Sequence, residues 1–351
     1  MNKEKIKNNR IVRHIYYFAS GMLRKAYLEN RAQEMLAAFG RTFETETAKK
    51  ACINDMVHTY ARYGFDFAEY LCFEFENKTK QERLAFVADW EHLGYACVLN
   101  CPENDSIFDN KRKTYEKFKK FYRRELVLFE SESQIPEFER FTTAHPKFVV
   151  KPVDMSCGNG VQIVRTEQYT SKSEWFAKLL EQYGRFIAEE LIVQAEPIAK
   201  LHPPSVNTMR IPTVRTNDSV LIVNPVLRVG QGGNCVDNGG AGGIICSVDI
   251  QTGRVFAAAD EHGHKYTTHP HTNEPLVGFQ IPKWNEVQAL VRELAQVVPN
   301  NRYTGWDLAL AEDGWLLVEA NRRGQFIWQY SSQKGFRKEI NGILKQVGKK
   351  Y

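Results

Sequence analysis

Residues 305–324, GWDLALAEDGWLLVEANRRG, are the most informative stretch of the sequence for the fold. Two apolar runs flank the turn EDG, which is the pattern of a β-hairpin. Residues two apart on a strand share a face, so Glu319 and Asn321 lie together and the hairpin brings Asp307 opposite them. Two carboxylates and an amide oxygen are hard ligands of the kind that Mg²⁺ prefers. A charge in an apolar strand is costly unless a cation offsets it, so we predict a magnesium site there rather than solvated carboxylates.

A lysine followed by a glycine-rich turn precedes this hairpin, in FVVKPVDMSCGNGVQIVR, residues 148–165. The ammonium of Lys151 supplies a point charge, and the turn with Ser156, Gly158 and Gly160 lets backbone N–H groups approach phosphate oxygens. The order of residues fits neither the Walker pattern nor GxGxxG. Taken alone, a plain hairpin with glycines at its turn explains the stretch about as well.

The strand FIAEELIV, residues 186–193, carries the adjacent acidic residues Glu189 and Glu190. Backbone groups of a strand that leaves a hinge can bond an adenine edge, and a carboxylate can accept from the exocyclic amine or the ribose. A solvated pair of glutamates is the alternative interpretation. The strand gains weight only in combination with the lysine and the hairpin.

Three arginines follow in SVNTMRIPTVR and VLRVGQGGNCVDNGGAGGI, residues 205–215 and 226–244. The guanidinium fork of Arg210 suits a carboxylate or phosphate, and Arg228 adds a second cation. So many glycines in one loop cost folding entropy, which favours a loop that closes over ligand. We therefore predict an anionic substrate site, with the residues Asn207, Arg210, Arg215, Gly239 and Gly240.

Length and composition allow a folded catalyst. The chain has 351 residues, 43% hydrophobic and 25% charged, with a net charge of +5. Its basic residues are interleaved with acidic ones, which favours small anionic ligands and argues against nucleic acid. The seven cysteines are scattered without a CxxC pair, as in a cytoplasmic protein with reduced thiols.

The N-terminal stretch KIKNNRIVRHIYYFASGMLRKAYL is basic and aromatic and predicts an amphipathic helix. Two explanations stay open for it: packing on the protein itself, or peripheral contact with a membrane through its Lys and Arg residues. Helical patterns continue to a Pro- and Asn-rich loop near residue 107, and β-rich runs alternate with helices after residue 145. We expect an α+β protein with a helical region at 1–107 and two lobes at 108–195 and 196–345.

The order of these elements resembles the ATP-grasp superfamily. KPVDMSCGNGV, SVNTMRIPT, DNGGAGGIICSVD, HPHTNEPLVGFQIPKW and RYTGWDLAL resemble, more narrowly, the sugar-transfer-associated ATP-grasp family, found with cell-surface polysaccharide genes. The resemblance spans about residues 60–330 and implies an ATP-grasp fold, in which two α+β lobes clasp ATP and Mg²⁺. It assigns Lys151 to the phosphates, Glu189 and the backbone of Glu190, Leu191 and Ile192 to adenine, and Asp307, Glu319 and Asn321 to magnesium. For the ribose it leaves Gln194 and Glu196 open.

The resemblance also implies a reaction. A carboxylate attacks the γ-phosphate of ATP to give an acylphosphate, and an amine then forms an amide on a sugar acid or sugar-linked precursor for capsule or surface polysaccharide. Such chemistry needs alignment and charge neutralisation, here by Lys151, Arg210 and Arg228 as the catalytic groups. The expected place is the cytoplasm, at the inner face of the membrane if the N-terminal helix docks there. A kinase of a sugar or lipid-linked hydroxyl and a non-catalytic nucleotide-binding subunit are the alternatives.

Overall fold

Two antiparallel sheets organise the protein, and a computed structural model describes residues 9–153, 160–233, 237, 242–324 and 328–351. The first part of the chain is helical, as predicted, and the helices continue past residue 107 to Tyr122. The described α-helices are α1 (Arg10–Leu23), α2 (Lys25–Ala38), α3 (Glu46–Tyr63), α4 (Phe67–Cys72), α5 (Lys80–Arg83), α6 (Asp89–Leu99), α7 (Asp105–Asp109), α8 (Lys111–Tyr122), α9 (Ile135–Ala144), α10 (Lys172–Tyr183), α11 (Glu196–Ala199), α12 (Trp284–Leu294), α13 (Gln329–Ser332) and α14 (Arg337–Gln346).

The smaller sheet has the order β1-β4-β2-β3, with every neighbouring pair antiparallel. One face carries Phe129, Phe148 and Phe186, which pack with α9 and α10 in an aromatic core. The other face carries Lys151 and Glu189 beside apolar residues. The strands are β1 (Leu126–Phe129), β2 (Lys147–Pro152), β3 (Gln162–Arg165) and β4 (Phe186–Glu190).

The larger sheet has seven strands in the order β11-β10-β5-β7-β8-β9, and β6 pairs with β5. The predicted hairpin is its edge: Asp307 of β10 lies opposite Glu319 of β11, and Gly305 lies opposite Asn321. On the far side of β10, Asp307 lies opposite Arg210. The strands are β5 (Thr208–Arg215), β6 (Val220–Ile222), β7 (Val226–Val229), β8 (Ile244–Val248), β9 (Val255–Ala259), β10 (Tyr303–Ala311) and β11 (Gly314–Asn321).

Different layers cover the two faces of the larger sheet. Ile211 and Leu308 pack with α8 and α12 on one face, in a core that also includes Ile187 of the smaller sheet. Val226 and Tyr330 pack with the N-terminal helices on the other face. Because strand residues alternate between faces, Arg210 and Asp307 lie on the side of the helical region, opposite α12.

Local chemistry explains several element boundaries. The Thr45 side chain accepts from the backbone N–H of Ala48 and caps the start of α3, and Gly64 ends that helix with a left-handed backbone. Gly305 is required by close approach, because a Cβ there would lie 2.2 Å from the carbonyl oxygen of Gly324. The turn after β11 therefore sits directly against β10, two residues before Asp307.

The α+β prediction is confirmed, with helices in the N-terminal part and antiparallel sheets after it. The boundary predicted between the two lobes, at residues 195 and 196, falls in the connection between β4 and β5, and the three-part division stays a prediction. Among the described helices, none combines the length and apolar character needed to cross a bilayer.

Candidate active site

A buried ion-pair cluster occupies the centre of the larger sheet. Arg210 is bidentate to Asp307: its Nε donates to Oδ1, and its Nη2 donates to Oδ2 at 2.8 Å. Arg228, on β7, donates from Nη2 to the same Oδ2 at 3.1 Å. Burial opposes ionisation of Asp307, but the two guanidinium groups outweigh it and lower the pKa of this carboxyl. Asp307 is therefore an ionised carboxylate held between two cations.

Glu319 and Asn321 complete the predicted magnesium set. Glu319 is exposed, and its side chain makes no hydrogen bond or ion pair with any residue that the structure describes. Asn321 directs Nδ2 toward Asp307 Oδ2 at 3.5 Å, which leaves the side-chain oxygen Oδ1 of Asn321 for another partner. This donor set, two carboxylates and an amide oxygen on one sheet face, fits a hard divalent cation. Since the arginines already neutralise Asp307, Glu319 is the carboxylate with most capacity to take one.

Asp237 and Thr208 position Arg228, and neither was predicted from the sequence. Arg228 donates from Nη2 to Thr208 Oγ1 at 2.6 Å, and Thr208 in turn donates its backbone N–H to Asp237 at 2.8 Å. Asp237 lies 3.5 Å from Arg228 Nε. Burial raises the pKa of Asp237 more than Arg228 lowers it. Acidic residues are common in exposed loops, so no feature of the sequence distinguishes Asp237 within the glycine-rich loop.

The smaller sheet carries a second buried cluster. Glu189 forms ion pairs with both Lys151 and Arg124. Arg124 also donates from Nη1 to the carbonyl of Leu317 at 2.5 Å, so its guanidinium joins β4 of the smaller sheet to β11 of the larger one. Sequence reasoning missed Arg124. Its only signal is that it is the second of two arginines and stands two residues before an apolar strand.

These contacts change the predicted role of Glu189. Both of its oxygens are engaged by cations, so the side chain is a counterion that orients Lys151 and does not present a free carboxylate to adenine. Burial opposes its ionisation, yet Arg124 and Lys151 outweigh that effect and lower the pKa of Glu189 to about 2. The assignment of this side chain to adenine stays a prediction, and its ion pairs with Arg124 and Lys151 compete with such a contact.

The lowered pKa of Glu189 predicts acid sensitivity. A depressed carboxyl pKa contributes stability above the unfolded value of 4.5, and that stability is lost as the pH falls toward about 2. We expect about 3 kcal/mol of unfolding free energy to disappear across this window. Urea unfolding between pH 5 and pH 2.5 measures it. Glu189→Gln should flatten the dependence, and equal pH slopes in the two proteins would contradict the assignment.

The hinge after β4 offers free backbone groups. The backbone groups of Leu191 and Ile192 make no hydrogen bond with the residues that the structure describes, which is what an adenine edge requires. Glu190 bonds the backbone of Glu125 through both its N–H and its carboxylate. The adenine assignment to this backbone therefore stays a prediction that the geometry accommodates.

The two ribose candidates differ in availability. The Gln194 amide makes three hydrogen bonds with Asn207: it donates to the backbone carbonyl oxygen at 2.6 Å, and it accepts from the backbone N–H at 3.0 Å and from Nδ2 at 3.3 Å. Glu196, in the first turn of α11, is exposed and its carboxylate has no partner within the described part of the chain. Of the two candidates, Glu196 has the carboxylate that is not engaged by a described residue, and the ribose assignment itself stays a prediction.

Two predicted substrate residues have other partners within the protein, and their substrate roles stay predictions. Asn207 is fully buried, and its side chain bonds the carbonyls of Ile198 and His202 and the N–H of Gly230, so it holds loops together. Arg215 lies at the opposite end of β5 from Arg210 and donates to the Pro299 carbonyl at 2.5 and 2.9 Å. Four of the predicted residues lie outside the described part of the chain: Ser156, Gly158, Gly239 and Gly240. Gly160 is described and has φ +74°.

A cavity of about 280 Å³ opens beside the smaller sheet, next to Val153 at the end of β2. Its lining includes apolar, basic and acidic side chains, namely Leu128, Val153 and Ile187, then Lys111, Arg112 and Arg185, and finally Asp109 and Glu130. Lys111 Nζ donates to the carbonyls of Pro152 and Val153 at 3.3 and 3.2 Å, directly after Lys151. Lys111 is a second cation near the predicted phosphate loop. The sequence did not single it out, because it is one of several basic residues in α8.

Sequence comparison identifies the family. The family described as sugar-transfer associated ATP-grasp matches residues 93–348, well over half of the chain, and the chain therefore belongs to it. Membership confirms the predicted ATP-grasp fold and enzyme class, an ATP-grasp ligase, with ATP and Mg²⁺ as its cofactors. A search of curated proteins found no match.

Solved structures with a similar fold include several ligases. D-alanyl-alanine synthetase A from Vibrio cholerae is 11% identical with a TM-score of 0.44, covering 71% of this chain and 67% of its own. The ATP-grasp ligase PsnB, complexed with minimal precursor, Mg and ADP, is 12% identical with a TM-score of 0.43 over 78% and 74%. The D-alanine-D-alanine ligase from Coxiella burnetii is 10% identical with a TM-score of 0.42, covering 71% of this chain and 60% of its own.

Proposed function

We propose that the protein is an ATP-dependent carboxylate–amine ligase that forms an amide on a sugar acid or sugar-linked precursor. The observation that carries the proposal is the pair of ionic clusters on the two sheets. Lys151 and Glu189 lie on the smaller sheet, and Arg210 and Asp307 lie on the larger sheet. Arg124 connects the two sheets through Glu189 and the carbonyl of Leu317. A nucleotide that contacts both clusters would have its phosphates near a lysine and a carboxylate–arginine array. The family description supports the sugar context.

The chain supplies the groups for each part of the nucleotide. The backbone of Leu191 and Ile192 would bond adenine, Glu196 would accept from the ribose, and Lys151 and Lys111 would face the phosphates. Bound at Glu319, Asn321 and Asp307, Mg²⁺ would neutralise phosphate charge and act as a Lewis acid on phosphoryl oxygens. Glu189 keeps Lys151 in place by ion pairing, so the ammonium is positioned before the nucleotide binds.

The reaction has two steps. A substrate carboxylate oxygen attacks the γ-phosphorus, the bond to the β–γ bridging oxygen breaks, and ADP leaves with an acylphosphate formed. An amine then attacks the acyl carbon, phosphate departs with the former carboxylate oxygen, and the amine loses a proton. Arg210 and Arg228 would hold the anionic carboxylate and the transferring phosphoryl group, because both face the cluster that contains Asp307.

The helical region borders the reaction centre and is the natural place for the second substrate. Asn100, after α6, donates Nδ2 to the carbonyl of Tyr303 at 2.8 Å and also to that of Arg322. Arg322, directly after Asn321, forms ion pairs with Asp105 and Asp109. The segment around α7 therefore lies against the end of β11, the strand that carries Glu319 and Asn321. In the proposed reaction, the acceptor substrate would bind near this end.

Arg210→Lys tests the ligase chemistry. The substitution keeps the charge but removes the bidentate fork, so we expect turnover to fall at least about tenfold, or about 1.4 kcal/mol of transition-state stabilisation. ATP, Mg²⁺, pooled uronic acids and hydroxylamine are supplied, and the hydroxamate formed from acylphosphate is measured. Arg215→Lys is the matched control, since Arg215 lies away from the cluster, and it should keep full activity.

Other outcomes of this assay distinguish the alternatives. A stable phosphosugar without hydroxamate would replace the ligase by a kinase. ATP binding with neither product would favour a nucleotide-binding subunit without catalysis. Equal hydroxamate from the parent and Arg210→Lys proteins would remove Arg210 from the proposed mechanism.

Lys151→Ala tests the nucleotide site separately. A ligand that binds only the folded protein raises its stability, so ATP with Mg²⁺ should raise the melting temperature of the parent chain. We expect Lys151→Ala to lose most of that increase, because its ammonium faces the phosphates. Lys147→Ala, at the exposed start of the same strand, is the control. An unchanged ATP response in Lys151→Ala would refute the phosphate assignment.

A further inference from the structure

The first helix leaves an apolar face uncovered. Ile11, Ile15, Phe18 and Met22 are 70%, 64%, 54% and 70% exposed. Their spacing of four, three and four residues places them on one side of α1. Leu23, beside this stripe, is 84% exposed. A continuous row of large apolar side chains on one helix face indicates a surface that meets another apolar phase.

The opposite face of α1 anchors it to the protein. Tyr17 packs edge-to-face on Tyr60 of α3, and the rings of His14 and Trp90 lie 5.5 Å apart. Gly21 approaches so closely that a Cβ there would lie 2.4 Å from the Cβ of Ala61. Of the two explanations that the sequence leaves open for this helix, self-packing thus accounts for one face only.

The charge distribution identifies what covers the other face. Residues 1–25 contain seven of the 47 Lys and Arg residues and one of the 42 Asp and Glu residues, a net charge of +6. The whole chain carries +5, so the remaining residues together carry −1. Within α1 there is no acidic residue, and Arg10, Arg24 and Lys25 are exposed around its ends. The net positive charge of the protein is therefore concentrated in the sequence of its first 25 residues, and the described basic residues Arg10, Arg24 and Lys25 lie at the ends of the helix that has the exposed apolar face.

We infer that α1 is an interfacial helix that docks the protein on an anionic lipid surface. The helix would lie parallel to the membrane, with Ile11, Ile15, Phe18 and Met22 in the boundary between headgroups and acyl chains and the basic residues on the headgroups. A second copy of the chain fits less well, because two such faces would bring two segments of net charge +6 together. The inference is independent of the proposed reaction.

Sedimentation of the full chain with lipid vesicles tests the inference. We expect binding to vesicles with about one-third phosphatidylserine in phosphatidylcholine, weak binding to phosphatidylcholine alone, and release in about 0.5 M salt. The double variant Ile15→Ser/Phe18→Ser should bind at least about tenfold more weakly with an unchanged melting temperature, since both side chains are exposed. Ile250→Ser, an exposed apolar residue in another region, is the control and should bind like the parent.

Three results would overturn it. They are equal binding by the parent and the Ile15→Ser/Phe18→Ser variant, binding that does not depend on anionic lipid, and a dimer in light scattering that dissociates in this variant. The last would assign the face to a second copy. Neither the vesicle assay nor light scattering measures turnover, so a failure here leaves the ligase proposal untouched, and a failed hydroxamate assay leaves this inference untouched.

Discussion

Glu319→Gln should lower turnover at least about 100-fold while leaving the stability of the protein unchanged. The substitution keeps the size of the side chain and removes one negative charge from the predicted magnesium set. Metal stabilisation of phosphoryl charge contributes several kcal/mol, so losing a carboxylate ligand costs at least two powers of ten in rate. Glu319 is exposed and makes no hydrogen bond within the described part of the structure, and its electrostatic interaction with Arg228 ranks behind those of Asp237 and Asp307, so its loss should cost little stability.

The same hairpin provides the control. Glu312→Gln removes an equivalent exposed charge at the turn, and it should change neither rate nor stability. ADP release at saturating ATP with a titration of Mg²⁺ is the measurement. Glu319→Gln should also require more Mg²⁺ for half-maximal activity. If Glu319→Gln has the same turnover as the parent chain, Glu319 is not a ligand of the catalytic metal.

Asp307→Asn should have the largest effect on stability. It leaves Arg210 and Arg228 buried without their shared carboxylate, and breaking a buried ion pair by removing one partner costs about 3–5 kcal/mol. Asp237 and Thr208 still contact Arg228, which places the expected loss near about 3 kcal/mol. Urea unfolding measures the difference.

Asp313→Asn is the matched control for this prediction. Asp313 lies on the turn of the same hairpin and pairs with Arg123 at the surface, where such pairs contribute at most about 1 kcal/mol. Adding Arg210→Met to Asp307→Asn should restore part of the stability, because it removes the uncompensated cation. Equal losses in Asp307→Asn and Asp313→Asn would show that the buried cluster is not ionised as described.

Local patterns explain which parts of the site could be predicted. Asp307 and Glu319 are joined by a short turn, so strand alternation and hairpin geometry were sufficient to place them opposite each other. The lysine at the end of β2 was recognisable for the same reason, as it lies next to a glycine-rich turn. Such features depend on neighbours within about twenty residues, which a sequence displays directly.

Contacts between distant segments explain what was missed. Arg124 acts by touching Glu189 and Leu317, residues far away in sequence on two different sheets. The choice between Gln194 and Glu196 depended on Asn207, which occupies the Gln194 amide from another loop. Arg215 illustrates a related point: its residue type suits an anion, but it lies at the other end of β5 from Arg210 and donates to the Pro299 carbonyl. Residue type alone does not determine which partner a side chain meets.

In the proposed reaction, a carboxylate oxygen of the substrate attacks the γ-phosphorus of ATP at this site. The most direct test uses an acid found in the hydroxamate assay, labelled with oxygen-18 in its carboxylate, together with ATP, Mg²⁺ and its amine. Mass spectrometry of the products should find one labelled oxygen in the released phosphate and the other in the amide carbonyl. Released phosphate without label would contradict the account, because an acylphosphate could not have formed.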